Sequence, residues 1–197
     1  MSDDTTMRVI TPLAAMLVAT TLPSAVAAQH DMSPEAKHEI GVDLSTAYQH
    51  LGAVTSGATT TPSSSQVLVG TPVDVRIGFP ASDRLVSDPR LAFALQSKGN
   101  STGGTAYVFD PLDLNLLLAF RSNRTGPYVT AGAALRVVHD TSTLTQFGFN
   151  GGIGTRLPYE AGAIRLEAFG QYFLRREGDG TPDELNVGVR VGLSLWH

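Results

Sequence analysis

From residue 38 onward, apolar and polar residues alternate with a period of two, the spacing of strands that bury one face. The clearest run covers 67–79. Val67, Val69, Val73, Val75, Ile77 and Phe79 share one face, and Gly70, Asp74, Arg76 and Gly78 share the other. The last segment repeats the pattern, with Leu185, Val187, Val189, Val191, Leu193 and Leu195 set against Asn186, Gly188, Arg190, Gly192 and Ser194. Six further segments behave alike, around Ile40–Tyr48, Leu91–Leu95, Leu112–Phe120, Val129–Val137, Phe147–Leu157 and Ile164–Tyr172. Leu117, Phe169 and Phe173 interrupt the alternation, and Pro111 marks a phase shift. A proline cannot donate to a strand ladder, so a bulge or a late start is expected there. No helical period competes over a comparable length, and the pattern predicts eight antiparallel strands.

The connections alternate in length. Residues 52–65, 97–104 and 176–184 form long polar connections and 140–145 a shorter one, whereas 80–83, 121–126 and 158–162 are short. This is the rhythm of an up-and-down barrel with long loops outside and short turns inside, which places both termini on the periplasmic side. The Thr- and Ser-rich run within 55–65 reads as a mobile loop tip.

Alternation also suits a soluble lipocalin-like barrel, in which the apolar face points inward. Three features favour the opposite orientation. The polar face is rich in Gly, Ala and Ser, which suit the crowded interior of an eight-stranded barrel. The apolar face is aliphatic along its middle. Aromatic residues collect at strand ends, as in the girdles at two membrane interfaces. Phe79, Phe120, Tyr128, Tyr159 and Trp196 fall near the short turns, and Tyr48, Tyr107, Phe109, Phe147, Phe149, Tyr172 and Phe173 near the long loops. Composition agrees, because Lys37 and Lys98 are the sole lysines among 14 basic residues, unlike the lysine-rich surface of a domain in bulk water.

The first segment reads as a secretory leader. Val9 to Leu22 is mostly apolar, and Ser24-Ala25-Val26-Ala27-Ala28 supplies small residues for cleavage before Gln29. Met7-Arg8 has the charge expected at a leader's start, which Met1-Ser2-Asp3-Asp4 lacks. The expected organisation is a signal peptide over 1–28, a periplasmic lead-in over 29–37 and a barrel domain over 38–197. Loss of the leader leaves 13 basic and 16 acidic groups, a balance that points to no nucleic-acid partner. The absence of cysteine excludes disulfides, thiolate metal sites and a lipid-anchoring cysteine.

On these residues the chain resembles the small bacterial outer-membrane barrels of the OmpA/OmpX type over 38–197. The most specific part is the last strand, Val187-Gly188-Val189-Arg190-Val191-Gly192-Leu193-Ser194-Leu195-Trp196-His197. In that family such a strand, ending in an aromatic, is similar to the signal read by the barrel-assembly machinery. The resemblance assigns that role here to Val191, Leu193, Leu195 and Trp196, although His197 follows the aromatic. The stretch Gly78-Phe79-Pro80-Ala81-Ser82-Asp83-Arg84 resembles a periplasmic turn of such barrels. The expected fold is therefore all-β: an eight-stranded antiparallel up-and-down transmembrane β-barrel preceded by a signal peptide.

Nine charged residues take the inward phase: Asp43, Asp74, Arg76, Asp113, Arg136, Arg156, Arg165, Glu167 and Arg190. Charges in a narrow lumen must pair, because desolvation costs several kcal/mol per ion. A ladder of Arg–carboxylate pairs is expected, acting as a plug rather than an ion path. Catalysis has weak candidates. Some barrels of this size resemble lipid-A-modifying hydrolases, and His139 and His50 lie at rim height, with Ser142 in a polar loop, but no carboxylate is spaced to complete a triad. His30, His38, His50, His139 and His197 show no paired metal-ligand spacing. The expectation is a non-enzymatic, monomeric protein without cofactor, whose outer loops serve a structural, adhesion or ligand-contact role. Its expected partners are outer-membrane lipids, lipopolysaccharide and the barrel-assembly machinery. A narrow pore for small solutes is the alternative, and an outer-leaflet lipid-A hydrolase a distant one.

Overall fold

A computed structural model describes residues 38–56, 58–97, 105–122, 124–139, 143–175 and 181–197. The proposed leader and lead-in lie outside these residues. Eleven strands form: β1 (Glu39–Leu51), β2 (Val54–Ser56), β3 (Thr59–Thr61), β4 (Ser64–Pro80), β5 (Leu85–Ser87), β6 (Arg90–Ser97), β7 (Thr105–Ala119), β8 (Gly126–His139), β9 (Thr143–Tyr159), β10 (Gly162–Phe173) and β11 (Glu184–Trp196). β2 and β3 pair only with each other. The remaining strands make eight walls, with β5 and β6 occupying one wall in succession, and all neighbouring walls run antiparallel.

The sheet closes where β1 pairs with both β4 and β11. The β1–β11 seam runs from Glu39↔Trp196 to Leu51↔Glu184 without a register shift. It is extended by His38 and His197, each of whose backbone N–H groups donates to the other's carbonyl. Closure matters because an open strand edge in hydrocarbon would leave backbone polar groups without partners.

Three irregularities bend the wall. Opposite Leu44 and Thr46, β4 holds two extra residues between Val69 and Val73, with Gly70 at a φ of 68° that a larger residue resists. Because two residues are added, Val67 and Val69 stay in phase with Val75 and Ile77. β7 shifts register between Phe109 and Leu112, at Pro111, where the sequence anticipates a bulge. Pro89 separates β5 from β6 but does not disturb register: Ser87 pairs with Leu116 and Arg90 with Asp113, three residues along each strand.

The third wall thus begins at Leu85, earlier than the alternation around Leu91 suggests. Residues 52–65 also differ from the expected loop tip, since the β2–β3 hairpin and the first residues of β4 lie within them. Thr55 and Thr60 pair across that hairpin, and their hydroxyls share a hydrogen bond of 3.2 Å.

The walls are turned inside out relative to a water-soluble barrel. Exposed large apolar residues ring the molecule, including Leu44, Leu114, Ile153, Val189 and Leu193, whereas the buried set is dominated by charged and polar side chains. Phe79, Phe120 and Tyr159 lie on the outer face near the turns, and Tyr48, Phe147, Phe149 and Tyr172 on the outer face near the loops. Tyr128 and Phe173 depart from the expected girdles. Both are 0% exposed and point into the lumen, so the belts are thinner than the sequence implies. Leu117 also points inward, in phase with Asp113 and Asn115 rather than as an interruption. The side chains of Tyr107 and Phe109 lie outside the described part of the structure.

An apolar wall predicts a clear asymmetry. Val189→Arg, at an exposed position mid-way along β11, should destabilise the barrel by about 2–4 kcal/mol in lipid vesicles, the cost of a cation near the bilayer midplane. Urea unfolding followed by the fluorescence of Trp196 would measure it. A soluble barrel would accept the same substitution with little change.

Candidate functional site

The inward face builds one dense polar cluster between the turn end and the middle of the lumen. Glu39, Asp43, Asp74, Asp88 and Glu167 meet Arg76, Arg90, Arg156, Arg165 and Arg190. All ten are nearly inaccessible to solvent. Glu167 is the hub: it accepts from Arg90 through both oxygens at 3.0 and 3.1 Å, from Arg165 and Arg190 at 3.0 Å each, and from the Tyr128 hydroxyl at 3.0 Å. Asp88 accepts from Arg90 at 3.0 Å and Arg165 at 3.1 Å. Arg76 donates to Asp43 at 3.0 Å, to Glu39 at 2.5 Å and to the Ser194 hydroxyl at 2.5 Å, and Arg156 donates to Glu39 at 2.6 Å. The flat, multidentate guanidinium suits such shared contacts better than an ammonium.

Wall order gives these pairs their meaning. β6, with the preceding Asp88, stands opposite β10 across the eight walls, four walls apart in either direction. The Arg90–Glu167 and Asp88–Arg165 pairs therefore span the whole diameter and fill the lumen at that level. Small residues make the room. A β-carbon added at Gly192 would overlap the Asp43 carboxylate, and one at Gly154 the Tyr128 ring. Beneath the cluster, Val86, Leu117, Ala119 and Tyr128 pack as a small apolar floor.

A second, smaller cluster sits nearer the loops. Arg136 pairs with Glu184, which also accepts from Gln49 and Asn186 at 2.7 Å each. Apolar rings inside the lumen serve the arginines: Arg136 lies 3.7 Å from the Phe173 ring centre, Arg190 3.7 Å from that of Phe169, and Arg165 4.9 Å from that of Tyr128. Such contacts hold a cation over a ring face where water is excluded. Asp113 lies 3.5 Å from the Gln171 amide.

All nine charges proposed from the sequence face inward. Asp43, Asp74, Arg76, Arg156, Arg165, Glu167 and Arg190 come together in the main cluster, Asp113 stands in register with Arg90 and beside Gln171, and Arg136 pairs with Glu184 towards the loops. Sequence reasoning missed Glu39, Asp88, Arg90 and Glu184. Glu184 sits at a strand end taken for a connection, Glu39 just precedes the first alternating residue Ile40, and Pro89 hides Asp88 and Arg90, although both keep the inward phase of their wall.

Of the catalytic candidates, His50 lies on the outer rim with its Nδ1 2.9 Å from the Ser65 hydroxyl, to which the Tyr48 hydroxyl also donates at 2.8 Å. The side chain of His139 and all of Ser142 lie outside the described part. Among the described residues no group of three His, Asp or Glu side chains is arranged to hold a metal.

A closed antiparallel barrel with an aliphatic exterior and an ion-paired interior is a transmembrane β-barrel, since only a closed sheet satisfies its backbone in lipid. Solved structures share the general form. Neisserial surface protein A is similar at 13% identity with a TM-score of 0.48, over 82% of this chain and 97% of that one. The N-terminal β-barrel domain of Pseudomonas aeruginosa OprF matches at 15% identity and 0.42, over 80% and 97%. Ail, the attachment invasion locus protein of Yersinia pestis, matches at 10% identity and 0.43, over 81% and 98%. No family model and no curated protein matches the sequence.

The hub makes a quantitative prediction. Glu167→Ala takes one carboxylate from three buried guanidinium groups, leaving Arg90 and Arg165 to share Asp88 and Arg190 with Asp74, and should cost about 3–5 kcal/mol. Tyr128→Phe removes two hydrogen bonds with charged groups, one donated to Glu167 and one accepted from Arg165, each worth about 1.5–3 kcal/mol. In the double variant Glu167→Ala/Arg90→Ala, part of the first loss should return, because one of the under-neutralised cations is gone and Asp88 is left to Arg165. Urea titrations of the four proteins in the same vesicles would check the ordering.

Proposed function

We propose that this chain is a non-enzymatic outer-membrane barrel whose lumen is plugged and whose work is done at its loop end, in a structural, adhesion or ligand-contact role. The observation that carries this reading is the pair of ion bridges across the full diameter, Arg90–Glu167 and Asp88–Arg165. They leave the barrel wall as scaffold and the loops as the surface free to meet a partner. The same bridges weigh against the alternative of a narrow solute pore, since conduction requires at least these contacts to part.

The loop end is built to present a surface. Arg175 donates to the Ala53 carbonyl at 2.6 Å and pairs with Asp183 at 3.5 Å, while the Gly52 N–H donates to the Asp183 carbonyl at 2.9 Å. These contacts tie the β10–β11 connection to the base of the exposed β2–β3 hairpin. On this reading both termini are periplasmic and the barrel is monomeric. Outer-leaflet lipopolysaccharide then surrounds the loop-end aromatics, and Val191, Leu193, Leu195 and Trp196 on the closing strand are offered to the assembly machinery.

Three measurements test it. In planar bilayers the wild-type protein should give no steady single-channel steps, whereas Arg90→Ala/Glu167→Ala should give them; wild-type steps altered by Arg136→Ala would establish the pore instead. Deleting residues 53–62 should abolish binding to host cells or ligand arrays and leave the heat-modifiable gel shift of the folded barrel intact. For the hydrolase alternative, lipid-A mass spectra from cells carrying wild type, His50→Ala or Ser65→Ala should be identical; a wild-type-specific product would overturn the non-enzymatic reading.

A further inference from the structure

The lumen carries a second ordered feature besides its ion pairs. Six of the eleven Asn and Gln residues in the sequence fall on one register row that winds around the inner wall. Gln66 on β4 stands beside Gln49 on β1, Gln49 beside Asn186 on β11, Asn186 beside Gln171 on β10, and Gln171 beside Asn150 on β9. The next position is Gly132 on β8, and beyond it lies Asn115 on β7. Gln66 is exposed at the loop end, and the Asn115 backbone carbonyl accepts from the Asp88 backbone N–H at 2.8 Å. The row therefore leads from the loop mouth to the ion-pair cluster.

Part of the row is hydrogen-bonded within the protein. Gln66 donates to Gln49, and Gln49 and Asn186 both donate to Glu184. Three carboxamide atoms make no hydrogen bond among the described residues: Asn115 Oδ1, Asn150 Nδ2 and Asn186 Oδ1. Asn115 is 3% exposed and Asn186 5%, so bulk solvent does not satisfy them. Buried polar groups in folded proteins almost always find a partner, and ordered water is the usual one where side chains do not supply it.

The gap at Gly132 is shaped for such a partner. Asn115 Oδ1 lies over the glycine, in the place a β-carbon would occupy. Asn150 is one strand further on, about 9.6 Å from the β7 backbone at two strand spacings. The orphan on one side of the gap is an acceptor and the orphan on the other is a donor. A single water complements both, donating to Asn115 Oδ1 and accepting from Asn150 Nδ2.

We propose that the amide row binds ordered water, with one site bridging Asn115 and Asn150 across Gly132 and a second at Asn186 Oδ1. The row is then a band of carboxamides with water at its orphaned atoms, and its other hydrogen bonds end on the lumen carboxylates Glu184 and Asp113.

The test uses the full barrel, with ¹⁵N-labelled Asn, refolded in lipid nanodiscs. Rotating-frame cross-relaxation between the Asn150 side-chain amide protons and water should give a cross-peak with the sign of a long-lived contact. Asn115→Leu should remove it, and Asn115→Asp, which keeps the acceptor, should retain it; the heat-modifiable gel shift confirms folding of each variant. Absence of the cross-peak in the wild type, or its persistence in folded Asn115→Leu, would overturn the proposal. If Asn115→Leu does not fold, the wild-type cross-peak together with Asn115→Asp decides the matter, because a direct Asn115–Asn150 bond would instead give an Asn150 amide without a water contact.

Discussion

Burying charge in a tube that has no room for bulk water is the constraint on which this barrel depends. Five arginines and five carboxylates occupy the lumen between its turn end and its middle, and each would cost several kcal/mol to desolvate alone. Sharing removes most of that cost. Glu167 serves Arg90, Arg165 and Arg190, Asp88 serves Arg90 and Arg165, and Glu39 serves Arg76 and Arg156. Because the partners sit on different walls, the network ties opposite sides of the cylinder together. The glycines facing it are equally constrained, since Gly41, Gly154 and Gly192 leave the space that Arg76, Tyr128 and Asp43 fill.

The outside follows from the same closure. Once the sheet returns to itself through the β1–β4 and β1–β11 ladders, the backbone of the wall needs nothing from its surroundings. The outward positions are then free to be aliphatic, and Val, Leu and Ile fill most of them, with Ala131 and Ala133 on β8 and Ala168 on β10. The loop end differs in kind. There the outward row passes from Tyr172 through Leu185 and His50 to Ser65, with hydroxyl and imidazole groups hydrogen-bonded at the rim. A wall that turns polar at that height marks where hydrocarbon gives way to headgroups, and it is the platform from which the β2–β3 hairpin rises.

The inside is organised at two scales. Ion pairs close the tube across its diameter, and the amide row runs obliquely along the wall because hydrogen-bonded neighbours climb as the strands tilt. Apolar residues in the lumen are part of this order. Phe169 and Phe173 lie under Arg190 and Arg136, and Leu117 belongs to the floor below the cluster. A rule that assigns apolar residues to lipid and polar residues to the lumen misplaces these rings, because a guanidinium accepts a ring face as readily as a carboxylate edge.

Sequence alone determined the number of walls, their order, the two faces of each strand and the inward phase of nine charges, because a strand's side chains alternate whatever its neighbours are. It also placed the bulge at Pro111, since a missing N–H is a property of the residue itself. It did not reach Asp88 and Arg90 behind Pro89, or Glu39 and Glu184 at strand ends, because alternation fades where a segment is short or interrupted. Tertiary structure alone decided which charge meets which, that β6 faces β10 across the lumen, and that six amides from six strands share one row. Those facts follow from register and closure, which bring together residues as far apart in the sequence as Glu39 and Trp196, and no local pattern encodes that distance.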